Sequence, residues 1–235
     1  MSDLSFDCVR IRPEPYAAAP TLLFRLRIDD RSGGEVRAIA LRCQLRIQPH
    51  LRPYSPEEGE RLADLFGEPS RWPTTLRPLQ LATVTAMVPG FRGGTEIDVP
   101  VPCSYDLEVS CGQYFHALDD GEVPLLLLFS GTVFTREGVA MVPWERECAV
   151  GLPAGVWRDL MDRHFPGCGW LRLRRETLDA LQSFKHARQL ATWEETVGAL
   201  LDRAGGTPGP APGGAPGRAP WRAGDGDGEG SARER

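Results

Sequence analysis

Residues 121–134 read GEVPLLLLFSGTVF, and the way this stretch is read decides the fold. Its longest unbroken apolar run, Leu125 to Phe129, falls far short of the roughly 18 residues that a membrane-spanning helix needs. Ser130 lacks the G-x-S-x-G frame of a nucleophile elbow and reads as a small strand residue. What remains is a strand. Val123, Leu125, Leu127 and Phe129 share one parity, while Leu126 and Leu128 make the other parity apolar too. A strand apolar on both parities is covered on both faces. The expectation is an inner strand with Leu126 and Leu128 as buried as Leu125 and Leu127, a sandwich core on one side and helices on the other.

Working outward, TREG at 135–138 makes a hairpin into residues 139–150, and ALDDGE at 117–122 turns the chain into the central strand. Upstream, Ile97, Val99, Val101, Cys103, Tyr105, Leu107, Val109 and Cys111 occupy every second position, which predicts a strand across 97–111. Pro100 and Pro102 place its early part at a sheet edge, because proline donates no ladder hydrogen bond. The alternating runs Leu22–Ile28 and Ile39–Ile47, joined by Arg-Ser-Gly-Gly at 31–34, read as another hairpin, and Leu79–Val88 as a strand. Between strands, YSPEEGERLADLFG predicts one short helix: Ser55 and Glu58 form a capping box, Pro56 takes the first position, and Gly67 ends it.

Beyond Leu152 the period becomes helical. Trp157, Leu160, Met161 and Phe165 share a face; Leu178, Leu181 and Phe184 mark a second helix. A capping box of Thr192 and Glu195 opens a third carrying Trp193, Val197, Leu200 and Leu201. Residues 205–235 are rich in glycine and proline with little to bury, which predicts disorder. The fold class is therefore α+β: a mostly antiparallel β-sandwich over 1–151 with one inserted short helix. A helical segment packed on the sheet over 152–204 and a disordered tail complete it.

The chain of 235 residues is 41% hydrophobic, enough for a substantial core, and its net charge of -5 argues against nucleic acid as the partner. The N-terminus MSDLSFDCVRIRPEP has neither the basic nor the apolar region of a signal peptide, so a cytoplasmic protein without membrane insertion is expected. Cys8, Cys43, Cys103, Cys111, Cys148 and Cys168 form no C-x-x-C pair, which predicts reduced thiols and no metal site. RSGGE and FRGGTE lack the G-x-x-x-x-G-K-S/T frame of a phosphate loop, and no cofactor is implied.

Three clusters hold chemistry-bearing residues. His116, Asp119 and Asp120 form an acid/base set by composition, but they sit at a turn where Asp and Gly are favoured for backbone reasons. His164 and Cys168 pair the residue types of a thiol nucleophile and its base, around a Pro-Gly helix stop. Trp170 with Arg172, Arg174 and Arg175 gathers the side chains enriched at interaction hot spots, and Trp144 joins them as a candidate partner contact. Trp157 belongs either to that surface or to the core.

The strings VPCSYDLEVSCGQYFHALDDGEVPLLLLFSGTVF, MVPWE, WRDLMDRHFP and GWLRLRRETLDALQSFK together resemble an uncharacterised family of high-G+C Gram-positive bacteria. This domain of unknown function is often encoded near uptake nickel–iron hydrogenase genes, and the resemblance spans about residues 4–203. It implies an accessory protein for assembling or operating a hydrogenase, with a hydrogenase subunit or maturation factor as partner; it carries over no site residue. The leading functional expectation is thus a non-enzymatic binding or assembly factor. The alternatives are an enzyme with a pocket between sandwich and helices, using His116 or His164, and an export-chaperone-like peptide binder. An exposed apolar groove favours a binder or the chaperone-like protein; a closed pocket with converging polar groups and shifted pKa values favours an enzyme.

Overall fold

The computed structural model describes residues 3–103, 107, 111–143, 145–166, 171 and 173–206. The chain divides into two units, residues 1–172 and 173–235. In the first, the described elements run β1 (Leu4–Pro13), β2 (Thr21–Asp30), β3 (Glu35–Ile47), α1 (Pro56–Phe66) and α2 (Trp72–Thr75). Then come β4 (Leu79–Arg92), β5 (Gly94–Pro102), α3 (Gln113–His116), β6 (Glu122–Thr135), β7 (Val139–Met141), β8 (Glu147–Pro153) and α4 (Ala154–His164). The second unit holds α5 (Arg175–Ala187) and α6 (Trp193–Arg203).

Two antiparallel sheets form a sandwich, one ordered β1-β2-β5 and the other β4-β3-β6-β7 with β8 also on β6. Alternate residues of each sheet turn inward: Leu22, Phe24, Leu26 and Ile28 on β2 face the core shared with Ile39, Leu41, Cys43, Leu45 and Ile47 on β3. Phe6 of β1 stacks on Phe129 of β6 at 4.5 Å between ring centroids, joining the sheets. As the prolines require, β5 lies at an edge, paired among the described residues with β2 alone.

The structure corrects three expectations. The runs of β2 and β3 do not form a hairpin, because β2 pairs with β1 and β5 while β3 pairs with β4 and β6. Their connection crosses from one sheet to the other. The Asp30 carboxylate fixes this corner by accepting from the amides of Asp3 and Ser32 and from the Ser32 hydroxyl, and Gly33 supplies the positive φ of 74°.

Second, the predicted strand 97–111 ends at Pro102. Leu107 is helical, and Cys111 enters a helical turn leading into α3. Leu107, Cys111, Tyr114, Phe115 and Leu118 are all buried, and their spacing is helical. Two periods overlapped in this stretch, and the helical one prevailed.

Third, β6 is an inner strand, bonded to β3 on one side and to β8 and β7 on the other, yet its two faces differ. Val123, Leu125, Leu127 and Phe129 are buried, whereas Leu126 and Leu128 are only half-buried. Helix α4 packs on β1, β8 and α3 and turns Trp157, Leu160 and Met161 into the core. Leu126 and Leu128 are flanked instead by their cross-strand neighbours Arg46 and Gln44. Long side chains of this kind shield apolar surface with their stems.

Both expected capping boxes are present, Ser55 with Glu58 and Thr192 with Glu195. In the second unit α5 buries no residue, and Trp193, Val197 and Leu201 of α6 are exposed. The disorder expected of the tail concerns residues that, beyond 206, lie outside the described ones.

Trp157 is fully buried and stacks on Phe115 at 4.2 Å, while its indole N–H has no acceptor among the described residues. Trp157→Ala should therefore cost about 3–5 kcal/mol in equilibrium denaturation. Trp157→Phe, which keeps a ring and removes the unsatisfied donor, should cost much less. Equal losses for both variants would contradict this packing.

Candidate functional site

The sequence-predicted residues that are described serve separate local roles. Trp144, Trp170, Arg172 and Cys168 lie outside the described residues. Arg174 and Arg175 stand exposed at the start of α5, Arg174 as its N-cap. The ring nitrogens of His164 face the carbonyl oxygens of Leu160 at 3.0 Å and Ala17 at 3.4 Å. Asp119 accepts from Arg61, and the Asp120 carboxylate lies 3.9 Å from Arg158, so both serve the turn before β6. His116 is exposed at the end of α3. Among the described residues no group of three or more His, Cys, Asp or Glu side chains is arranged to hold a metal ion.

A cleft of about 650 Å³ opens between the segment leaving β3 and helices α1 and α2. Tyr54, Trp72, Pro56, Pro69, Pro73 and Leu76 form apolar walls, with His50, Arg52 and Ser55 as polar members. Sequence reasoning passed over it. The density of proline with Tyr54 and Trp72 was the available signal. Trp72 meets Tyr54 edge-on at 5.1 Å and donates its indole N–H to the Gly67 carbonyl.

Beneath the cleft lies a buried ion pair. Arg52 donates to Glu58 at 2.8 Å, and the side chains are each only 6% exposed. The Glu58 carboxylate also accepts from the backbone amides of Ser55 and Asp119, tying three segments together. Arg52 donates further to the carbonyls of Pro53 and Asp120. The Tyr54 hydroxyl donates to the Pro49 carbonyl and lies 2.9 Å from that of Tyr114. These bonds engage Arg52, Glu58, Tyr54 and Tyr114 in holding the fold, with Arg52 Nε alone of this set left buried without a partner among the described residues.

The two outward faces of the sandwich differ in kind. On the smaller sheet Arg25 bridges Glu96 and Asp98, Arg27 adds to Glu96, and Arg12 adds to Asp98, all within 3.3 Å. Hydrogen bonds from Arg27 and Arg25 hold the Glu96 carboxyl below its usual range. That is a solvated ionic lattice.

The larger sheet shows apolar rows instead. Register aligns Pro89, Ala38, Phe134 and Val139 in one row and Met87, Ala40, Thr132 and Met141 in the next. Met87, Val139 and Met141 are each 67% exposed and Phe134 is 38% exposed. The row beyond is Thr85, Arg42 and Ser130, and then come Leu128 and Leu126. Arg42 is exposed and has no carboxylate partner among the described residues. Solvent-facing strand positions normally carry polar side chains, and these exposed apolar rows depart from that pattern.

Burial raises the Tyr54 hydroxyl and drives that of Tyr114 far above its ordinary value of 10.0. The unfolded chain therefore loses these protons first, so the stability they contribute is complete below pH about 10 and declines above it. In an alkaline titration, the tyrosinate absorbance present in wild type and missing in Tyr114→Phe should emerge only with loss of the near-ultraviolet circular dichroism. Its emergence from a folded protein would contradict the burial.

No curated protein matches this sequence. Among solved structures, a β-glucosidase from Kluyveromyces marxianus aligns at 6% identity with a TM-score of 0.24, covering 64% of this chain. The chain spans only 15% of that structure's length, and likeness at this level carries no argument about fold or activity. A family profile matches residues 1–208, nearly the whole of the described chain. The chain belongs to the family of unknown function DUF6084.

Proposed function

We propose that this protein is a non-enzymatic binding or assembly factor whose outward face on the larger sheet docks a protein partner. The observation that carries the reading is the pair of apolar rows ending in Met87, Phe134, Val139 and Met141, set beside an Arg42 without a carboxylate partner among the described residues. The partner that fits is a segment presenting apolar side chains and one carboxylate, the apolar groups on the methionine rows and the carboxylate on Arg42. Methionine suits such a surface, since its unbranched thioether adapts to the shape it meets. A net charge of -5 for the whole chain makes an unpaired arginine on this face a local attraction rather than a general one.

The family resemblance supplies the setting: a hydrogenase subunit or maturation factor, met in the cytoplasm. Among the described residues no helix is long and apolar enough to cross a membrane. The enzyme reading is weaker, because the polar side chains beneath the cleft are occupied by the Arg52–Glu58 and Tyr54–Tyr114 contacts.

Affinity capture from the native host with mass spectrometry tests both halves. Wild type should retain a hydrogenase subunit or maturation factor, and Met141→Glu should lose it at least tenfold with stability changed by less than about 0.5 kcal/mol. Arg174→Ala serves as the comparison, because a loss confined to it would move the contact to the arginines near Trp170. Retention by Met141→Glu would refute the surface. Capture by wild type of a partner unrelated to hydrogenase, lost in Met141→Glu, would refute the setting alone.

A further inference from the structure

The two sheets meet at one seam where the edge strand β1 of the smaller sheet runs beside β8 of the larger. The Arg146–Asp3 ion pair at 3.1 Å closes one end of this seam. Further along, the backbone amide of Cys8 donates to the Cys148 thiol at 3.3 Å, across 140 positions of sequence. A β-bulge follows Cys8, where the register with β2 shifts between Cys8 and Arg10. Cys8 shares the inward parity of Leu4 and Phe6, and Cys148 that of Val150 and Leu152. Both thiols thus face the same gap between the sheets. Each is half-buried, so a small reagent reaches them, whereas Cys43, Cys103 and Cys111 are buried in the core.

We infer that Cys8 and Cys148 form a modification site, a dithiol at the β1–β8 seam that a low-molecular-weight disulfide converts to an intramolecular disulfide.

The roles follow from the contacts. An N–H donor stabilises a thiolate, so the sulfur that accepts from the Cys8 amide is the attacking one, Cys148. Burial raises both thiols, but at Cys148 the Cys8 amide works against that rise, whereas at Cys8 the neighbouring Cys148 adds to it and the thiol is pushed up to about 11. Cys148, deprotonated, attacks one sulfur of the small disulfide, whose S–S bond breaks; the expelled thiolate takes up the proton that Cys148 released. Cys8 then loses its proton and attacks the Cys148 sulfur of the mixed disulfide. The second small thiol leaves with that proton. The protein is oxidised by two electrons and the small disulfide is reduced to two thiols. The new bond closes a long loop and fastens one sheet to the other, which restricts the unfolded chain.

Oxidised glutathione is the probe, with residual thiols alkylated before peptide mapping by mass spectrometry. Wild type should lose two hydrogens, yield a peptide pair linking Cys8 to Cys148, and gain melting temperature. Cys8→Ser should halt at one glutathione on Cys148, and Cys148→Ser should take up none at Cys8 under the same conditions. Alkylation of both thiols in treated wild type would overturn the proposal without recourse to any variant. So would a bridge to Cys43, or glutathione accumulating on Cys8.

Discussion

Strand β6 hydrogen-bonds along both edges, to β3 from Leu125 to Thr135 and to β8 and then β7 opposite, and the rest of the first unit is arranged around that double pairing. A strand held on both sides fixes the register of three others, so every inward side chain of the larger sheet is placed once β6 is placed. At Gly131, with φ of 147°, a Cβ would run into the Ala40 carbonyl, so only glycine lets β3 and β6 approach there. The same strand carries Phe129 to the ring of Phe6, which sets the spacing of the sheets.

Around this spine the aromatic side chains form a path from the surface inward. Tyr54, Trp72, Phe66 and Tyr114 meet edge to face, Tyr114 meets Phe115, and Phe115 stacks on Trp157. The Arg52–Glu58 pair anchors the outer end of that path to the turn before β6. A buried pair of this kind adds little net stability against a hydrophobic alternative, yet losing one partner is costly, because it strands a charge. The cleft walls are thereby held in one arrangement. On the larger sheet's outward face the hydrogen bonds among Gln44, Arg46, Gln80 and Thr83 gather at one end, away from the rows of Met87 and Met141.

Much of this was legible in residues that obey one rule at a time. Both capping boxes, the edge position of the prolines in β5, the turn from β6 into β7 and the inner placement of β6 followed from local chemistry, although the return strand expected over 139–150 is split into β7 and β8. The misreadings came where two rules competed. Leu107 and Cys111 satisfy an alternating and a helical period alike, and the helical one won because it places them with Tyr114, Phe115 and Leu118 in the core. The apparent β2–β3 hairpin failed because a sandwich corner and a hairpin turn use the same Gly-rich sequence, and only the long-range pairing tells them apart. Leu126 and Leu128 looked like a second buried face because apolar side chains half-covered by the stems of Arg46 and Gln44 are indistinguishable in sequence from fully buried ones. The cleft was missed because Arg52 and Glu58, far more buried than charged residues usually are, reveal their pairing only in three dimensions.

Methionine is oxidised by hydroxyl radicals in proportion to its exposure, which makes the proposed docking face directly measurable. In the free protein Met87 and Met141 should oxidise readily while the buried Met161 resists. In the complex captured from the host, Met87 and Met141 should both become protected, with Met161 unchanged. If both methionines oxidise as fast in the complex as in the free protein, the partner sits elsewhere and the account of this face is wrong.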